Sequence, residues 1–213
     1  MNLVKILGAL VTLLVPIYSF ASIITVTNGD FEDQSVVLNQ VDVAKGPWAY
    51  GAAGWTVVGS GGTYAPTSPA IYNAGEADGR VGWSNGGQLW QLTSSIFEAG
   101  YKYTLSVDIG NRIGTNFPAG RISIFADSPS NIIASFDLVE PVDGTFETRL
   151  VSATEVDFSN FFGQKIGVLL VSDGTQINFD NVSVSATPVS TPGTLAIFGL
   201  SLTLLSLTKR RKN

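Results

Sequence analysis

The amino-acid sequence predicts an all-β protein: a jelly-roll β-sandwich, flanked by an N-terminal signal helix and a C-terminal transmembrane helix. Three observations carry the prediction. Tyr101, Tyr103, Leu105, Val107 and Ile109 alternate with Lys102, Thr104, Ser106 and Asp108, which is the period of a half-buried strand. Turn residues recur between such stretches, at Gly114-Thr115-Asn116, Asp127-Ser128-Pro129, Pro141-Val142-Asp143-Gly144 and Ser172-Asp173-Gly174. No helical periodicity of similar length competes, and evenly spaced strands with turns between them read as a sandwich or jelly roll.

In chain order, residues 1–21 match a secretory signal. Lys5 supplies the positive start, Ile6 to Val15 the apolar run, and Ser19 and Ala21 the small residues for cleavage after Ala21. Residues 22–186 form the sandwich domain. Besides the strand at Tyr101, period-two stretches lie at Ile122-Ser123-Ile124, Ile132 to Leu138, Phe146 to Leu150 and Ile166 to Val171. Gly46 to Gly87, rich in Gly, Ala, Ser and Asn, reads as loops. A short helical turn fits between Asp157 and Phe162. Ile177 and Phe179 share one phase, and Val182 and Val184 resume one residue out of it. An extra residue near Asp180-Asn181, a β-bulge, explains the shift.

Residues 187–193 are a linker and sorting motif with Pro188 and Pro192, 194–208 a transmembrane helix and 209–213 a basic cytoplasmic tail. The apolar run Leu195 to Leu207 has 13 residues, short against the roughly 20 a bilayer prefers. It has no polar stripe to face water, as a buried domain helix would need, and Lys209-Arg210-Arg211-Lys212 sits at one end.

Charge and composition narrow the function classes. Of 12 Lys+Arg, Lys5 and the four basic residues of the tail lie in the ends, leaving 7 against 17 Asp+Glu, a net charge of −10. Nucleic acid and anionic lipid surfaces are poor partners for such a domain. There is no cysteine, so no disulfide holds it, and no histidine. That removes Ser–His–Asp and Cys–His nucleophile systems and His-ligated zinc. Carboxylates, lysine and tyrosine remain for catalysis.

The tail resembles the PEP-CTERM sorting signal of Gram-negative bacteria, in a divergent Val-Ser-x-Pro form. The motif residues are Ser190, Thr191, Pro192, Gly193 and Thr194. Ser190 and Thr191 stand where that signal has its first proline and glutamate. The resemblance implies the Sec translocon, signal peptidase and an exosortase as partners. It also implies transient anchoring in the inner membrane, then the outer surface or extracellular matrix.

The domain carries ordered landmarks: Asn28-Gly29-Asp30-Phe31-Glu32, Gly54-Trp55-Thr56, Gly110-Asn111-Arg112 and Phe179-Asp180-Asn181-Val182. Their order resembles the galactose-binding-like jelly rolls of carbohydrate-binding modules, and exported PEP-CTERM proteins of unassigned activity. The resemblance implies a structural Ca²⁺ held by Glu32 and Asp180, with Asp30 and Asn28 as further candidates. Oxygen ligands suit Ca²⁺; the alternative is that these acids are ordinary turn residues satisfying the backbone.

A sugar-binding surface is the second candidate. Trp48, Tyr50, Tyr64, Tyr72, Trp83 and Trp90 lie close together in sequence, and aromatic faces stack on sugar rings. Trp48, Tyr64 and Trp83 are the candidates expected at the surface; Trp55 is expected in the core, and Trp90 is open to it. Arg112 is a candidate clamp for a carboxylate or sugar acid; pairing with a neighbouring Asp to fix a loop is the alternative. The expectation is therefore a non-enzymatic exported protein that binds exopolysaccharide. A matrix protein with no sugar site is second. A glycosidase is third and needs two facing carboxylates in a cleft.

Overall fold

The computed structural model describes residues 21–189, except 43–45, 68, 70 and 78. Residues 1–20, the sorting motif Ser190 to Thr194, the apolar segment to 208 and the tail 209–213 lie outside the described residues. Among the described residues no helix is long and apolar enough to cross a membrane.

The described chain is a β-sandwich. Its strands are β1 (Ser22–Ile24), β2 (Gln40–Asp42), β3 (Gly46–Tyr50), β4 (Thr56–Val58), β5 (Gly61–Tyr64), β6 (Val81–Ser84) and β7 (Gly87–Ile96). They continue with β8 (Tyr101–Gly110), β9 (Gly120–Ala126), β10 (Ile132–Asp137), β11 (Phe146–Ala153), β12 (Lys165–Ser172) and β13 (Ile177–Pro188). One sheet has the order β11-β8-β13-β6-β5-β3-β2, with β1 also paired to β13; the other has the order β10-β9-β12-β7-β4.

The core forms where the two sheets face each other. The alternation in β8 has its predicted effect: Tyr103, Leu105, Val107 and Ile109 are buried between the sheets. Ile122 and Ile124 of β9, Ile166, Val168 and Leu170 of β12, and Ile177, Phe179, Val182 and Val184 of β13 meet them. Each fully buried side chain of this size contributes about 1.5–3 kcal/mol relative to exposure. The expected bulge is present. The β13–β8 register shifts between Asp180 and Ser183, Asn181 takes a positive φ of 49°, and Val182 N–H donates to Gly29 O instead. The short helix α1 (Glu155–Phe158) and a 3₁₀ turn (Ser159–Phe161) replace the expected helical turn. Asp157 caps α1 by accepting the Thr154 N–H at 2.7 Å, which lowers the Asp157 pKa.

Two expectations fail locally. Leu150 was the last apolar residue of its stretch, yet it faces outward and is paired with Ser106, while Val151 opposite Leu105 and then Ala153 carry the inward face. Gly46 to Gly87 is not a run of loops. It contributes β3, β5 and β6 to the larger sheet and β4 to the smaller one. β3, β5 and β6 carry glycines that read as loop but serve close approach. A Cβ on Gly82 would lie 2.5 Å from the Phe31 ring, so the bare backbone seats that ring in the core.

Candidate functional site

The glycine-rich strands hold aromatics on the face of the larger sheet that points away from the core. Residue parity decides this. Phe179 of β13 faces the core, so Asn178 and its cross-strand partner Trp83 face the other way. Trp48 and Tyr64 are direct partners across β3 and β5. Tyr64, Ile71, Tyr72, Val81 and Trp83 form a second apolar cluster there, separate from the main core.

A pocket of about 260 Å³ opens over this cluster, lined by Trp48, Tyr50, Ser60, Tyr64, Trp83, Asn85, Arg112 and Gln176. Trp48 meets Trp83 edge-on, with ring centroids 5.5 Å apart and planes at 89°; Tyr50 tilts over Trp83 at 5.7 Å. Trp83 is fixed by its indole N–H, which donates to Ala49 O and Thr63 O, each at 3.2 Å. The aromatics therefore make a box and not the coplanar, exposed platform expected of a sugar surface. Tyr64 and Trp83 are only 4% and 5% exposed, whereas Tyr50 is 63% exposed. Among the described lining residues there is no carboxylate, so these walls offer no pair of facing acids.

Arg112 enters the pocket from the loop after β8. Asn111, not Arg112, fixes that loop: its amide donates to Pro141 O at 2.9 Å and Asp143 Oδ1 at 3.1 Å. Thr115 holds the Arg112 carbonyl with both its N–H and its hydroxyl. Among the described residues no acid pairs with the guanidinium. Its Nη1 donates to Gln176 Oε1 at 2.8 Å. Gln176 Nε2 donates to Asn178 Oδ1 at 3.4 Å, which also accepts the Tyr72 hydroxyl at 2.7 Å. Tyr72 is buried, and burial pushes its phenol far above the usual range despite the nearby Arg112 charge; it remains a neutral donor.

The acids expected to hold Ca²⁺ lie elsewhere, at the bulge. Asp180 pairs across the sheet with Asp108. Burial first, then the charges of Asp108, Glu32 and Asp30, push its pKa up to about 7, although the Asn181 N–H opposes them. Glu32 Oε1 accepts the Arg80 N–H at 2.6 Å, and Asp30 accepts the Glu32 N–H at 3.4 Å. Asn28 is a hub for the loop, accepting from Asp33 N–H and donating to Ala53 O. Among the described residues no three acids converge to hold a metal ion. Asp108, Glu32 and Asp30 nevertheless lie near enough to Asp180 for their charges to act on it.

The four residues read from the sequence as one site, Trp48, Tyr64, Trp83 and Arg112, are therefore brought together. Ser60, Asn85 and Gln176 complete the lining and were missed. Small polar residues beside turns carry no distinguishing pattern, and Gln176 is recognisable only from its place before Asn178. Tyr50 stood in the aromatic cluster without being singled out.

Comparison with known proteins gives the site its context. The model of a family described as HpiC1-like, HpiC1 cyclase, matches residues 22–185. The Stig cyclase Fisc from Fischerella sp. TAU, solved with (3Z)-3-(1-methyl-2-pyrrolidinylidene)-3H-indole, is similar in fold at a TM-score of 0.64 and 22% identity, over 80% of this chain and 100% of that one. An apo cyclase from Fischerella sp. gives a TM-score of 0.66 at 22% identity, over 80% and 98%. A cyclase from Fischerella sp. TAU, solved with 4-(1H-indol-3-yl)butan-2-one, gives 0.64 at 23%, over 80% and 100%. No curated protein matches the sequence. The family match overturns the expectation of a non-enzymatic carbohydrate-binding protein: the domain's kin are cyclases.

Proposed function

The chain belongs to the HpiC1-like cyclase family, and from that premise we propose that it is a cyclase acting on a flat aromatic small molecule in the Trp48–Trp83 pocket. The observation that carries the proposal is the aromatic box of Trp48, Tyr50, Tyr64 and Trp83 with a polar end at Asn85, Arg112 and Gln176. Its volume of about 260 Å³ lies just below the roughly 300–1,000 Å³ of small-molecule pockets, which suits one bicyclic ring and a short chain.

The chemistry follows from the walls. Ring closure by an electron-rich aromatic nucleus onto an unsaturated side chain passes through an electron-poor carbon. Aromatic faces stabilise such positive charge by about 0.5–2 kcal/mol per contact. Holding the side chain folded against the ring removes part of the entropic barrier. The polar end orients the substrate, and Tyr50 and Tyr64 are the phenols placed for proton transfer. The reaction conserves mass: one carbon–carbon bond forms as a double bond is consumed.

The test is incubation of the full chain with indoles bearing an unsaturated side chain, followed by chromatography and mass spectrometry. A product of unchanged mass with one additional ring is expected, and Trp83→Ala should lower its rate at least about tenfold, or 1.4 kcal/mol. A chain that forms no such product and leaves tryptophan fluorescence unmoved by millimolar 4-(1H-indol-3-yl)butan-2-one would refute the reading.

The location proposed for this activity is outside the inner membrane, with export through residues 1–21 and sorting at Pro192. Mature protein beginning at Ser22 supports that placement; an intact Met1 in cells with working export refutes it.

A further inference from the structure

We infer that the ligand of this pocket is an anion: an aromatic small molecule carrying a carboxylate that binds the unpaired edge of Arg112. The inference rests on the pocket being the active site and adds the charge of its substrate.

Three observations converge. Arg112 is the only charged residue among the described residues that line the pocket. No ion pair to Arg112 forms among the described residues, although charged groups taken out of water are ordinarily paired. Most telling is which part of the guanidinium is used. Gln176 occupies Nη1, while Nε is buried with no partner and Nη2 makes no hydrogen bond to a described residue. Nη1 lies on the same side of the group as Cδ. The unpaired edge is therefore the one formed by Nε and Nη2, whose N–H bonds run parallel and match the two oxygens of a carboxylate; Nε is closed off from solvent, so a ligand engages Nη2 first and reaches Nε by displacing the wall over it. A neutral ketone has one oxygen and fills half of that fork.

The relay behind Arg112 fits this role. Gln176 presents its oxygen to Nη1 and its amide to Asn178, which Tyr72 anchors in turn. Each member is neutral, so the relay sets the direction of the guanidinium without cancelling its charge. A carboxylate bound there gains the full attraction, in a pocket whose described walls offer no competing acid.

The experiment uses two probes of nearly one shape, 3-(1H-indol-3-yl)propanoate and 4-(1H-indol-3-yl)butan-2-one, which differ by an oxygen anion against a methyl group. Binding to the full chain is measured by tryptophan fluorescence and calorimetry at low and high salt. The acid should bind at least tenfold more tightly than the ketone, and the advantage should shrink with salt. Arg112→Gln should abolish the preference, because the acid loses both the charge and the fork while the ketone loses at most one hydrogen bond. Arg112→Lys should keep part of it, since a point charge lacks the fork.

Gln176→Glu guards against an Arg112 variant that fails to fold: an acid on Nη1 neutralises the guanidinium in place and should also remove the preference. Ketone binding equal to or tighter than acid binding in the native protein overturns the inference and leaves the pocket reading standing. An acid preference that survives both Arg112→Gln and Gln176→Glu overturns the assignment to Arg112. Binding of neither probe overturns both readings together.

Discussion

The strands β8, β9, β12 and β13 and the strands β3, β5 and β6 solve opposite problems in one molecule. The first group buries an alternating row of Leu, Val, Ile and Phe between two sheets and leaves little for a ligand to do. The second is short and glycine-rich, and turns its large aromatics away from that core into a half-open box. The core strands carry stability. The box above the glycine-rich strands takes in Arg112 from the loop after β8, whose buried Nε has no partner among the described residues, a cost of order 1–3 kcal/mol for an unsatisfied buried donor. Core and pocket are thus separated across the thickness of a single sheet, with Gly82 seating Phe31 on one side and Trp83 closing the pocket on the other.

The contrast is broken most severely from the core side. Leu105→Ala removes a fully buried side chain and should cost about 2–5 kcal/mol, read as a lowered midpoint in urea, with little change in ligand affinity in the protein that remains folded. Gly82→Ala acts where the two regions meet. The added methyl meets the Phe31 ring and should destabilise by about 1–3 kcal/mol through overpacking. If Gly82→Ala unfolds at the native temperature, the close approach is not needed.

Asp180 sharpens the comparison through pH. Its folded-state value, pushed up to about 7, lies above the unfolded value of about 3.9. Folding therefore favours the protonated form. Its contribution is fully present below about pH 4 and is lost as pH rises through 7. Asp180→Asn should stabilise the protein at pH 8 relative to pH 5 by about 1–2 kcal/mol after allowance for solvent screening. Thermal melts of both proteins across this range are the check, and parallel curves would refute the shift. The same melts with Ca²⁺ address the cation expectation. A calcium-dependent rise lost in Asp180→Asn would show that the acids rearrange around an ion.

The smallest stability effect belongs to the pocket relay. Tyr72→Phe removes the hydroxyl that Asn178 accepts and should cost about 1 kcal/mol. Its larger effect should be on ligand affinity, because Gln176 and Arg112 lose their anchor. Equal affinity in the two proteins would show that the relay orients nothing.

By itself the sequence determined the sandwich, the main core and the bulge, because alternation and its break at Asp180-Asn181 are local properties of side-chain order. It also singled out Trp48, Tyr64, Trp83 and Arg112 from residue chemistry. It misjudged the strands around them, since glycine supports both loops and close-packed strands and only neighbours distinguish the two. Tertiary structure alone decided which face each aromatic takes, that Asn111 and not Arg112 ties the loop, and that Gln176 meets the guanidinium 64 residues away in sequence. Those facts depend on which strands pair and in what register. Register brings distant residues to one face, and it was the folded sheet that turned three aromatic candidates and Tyr50 into a box.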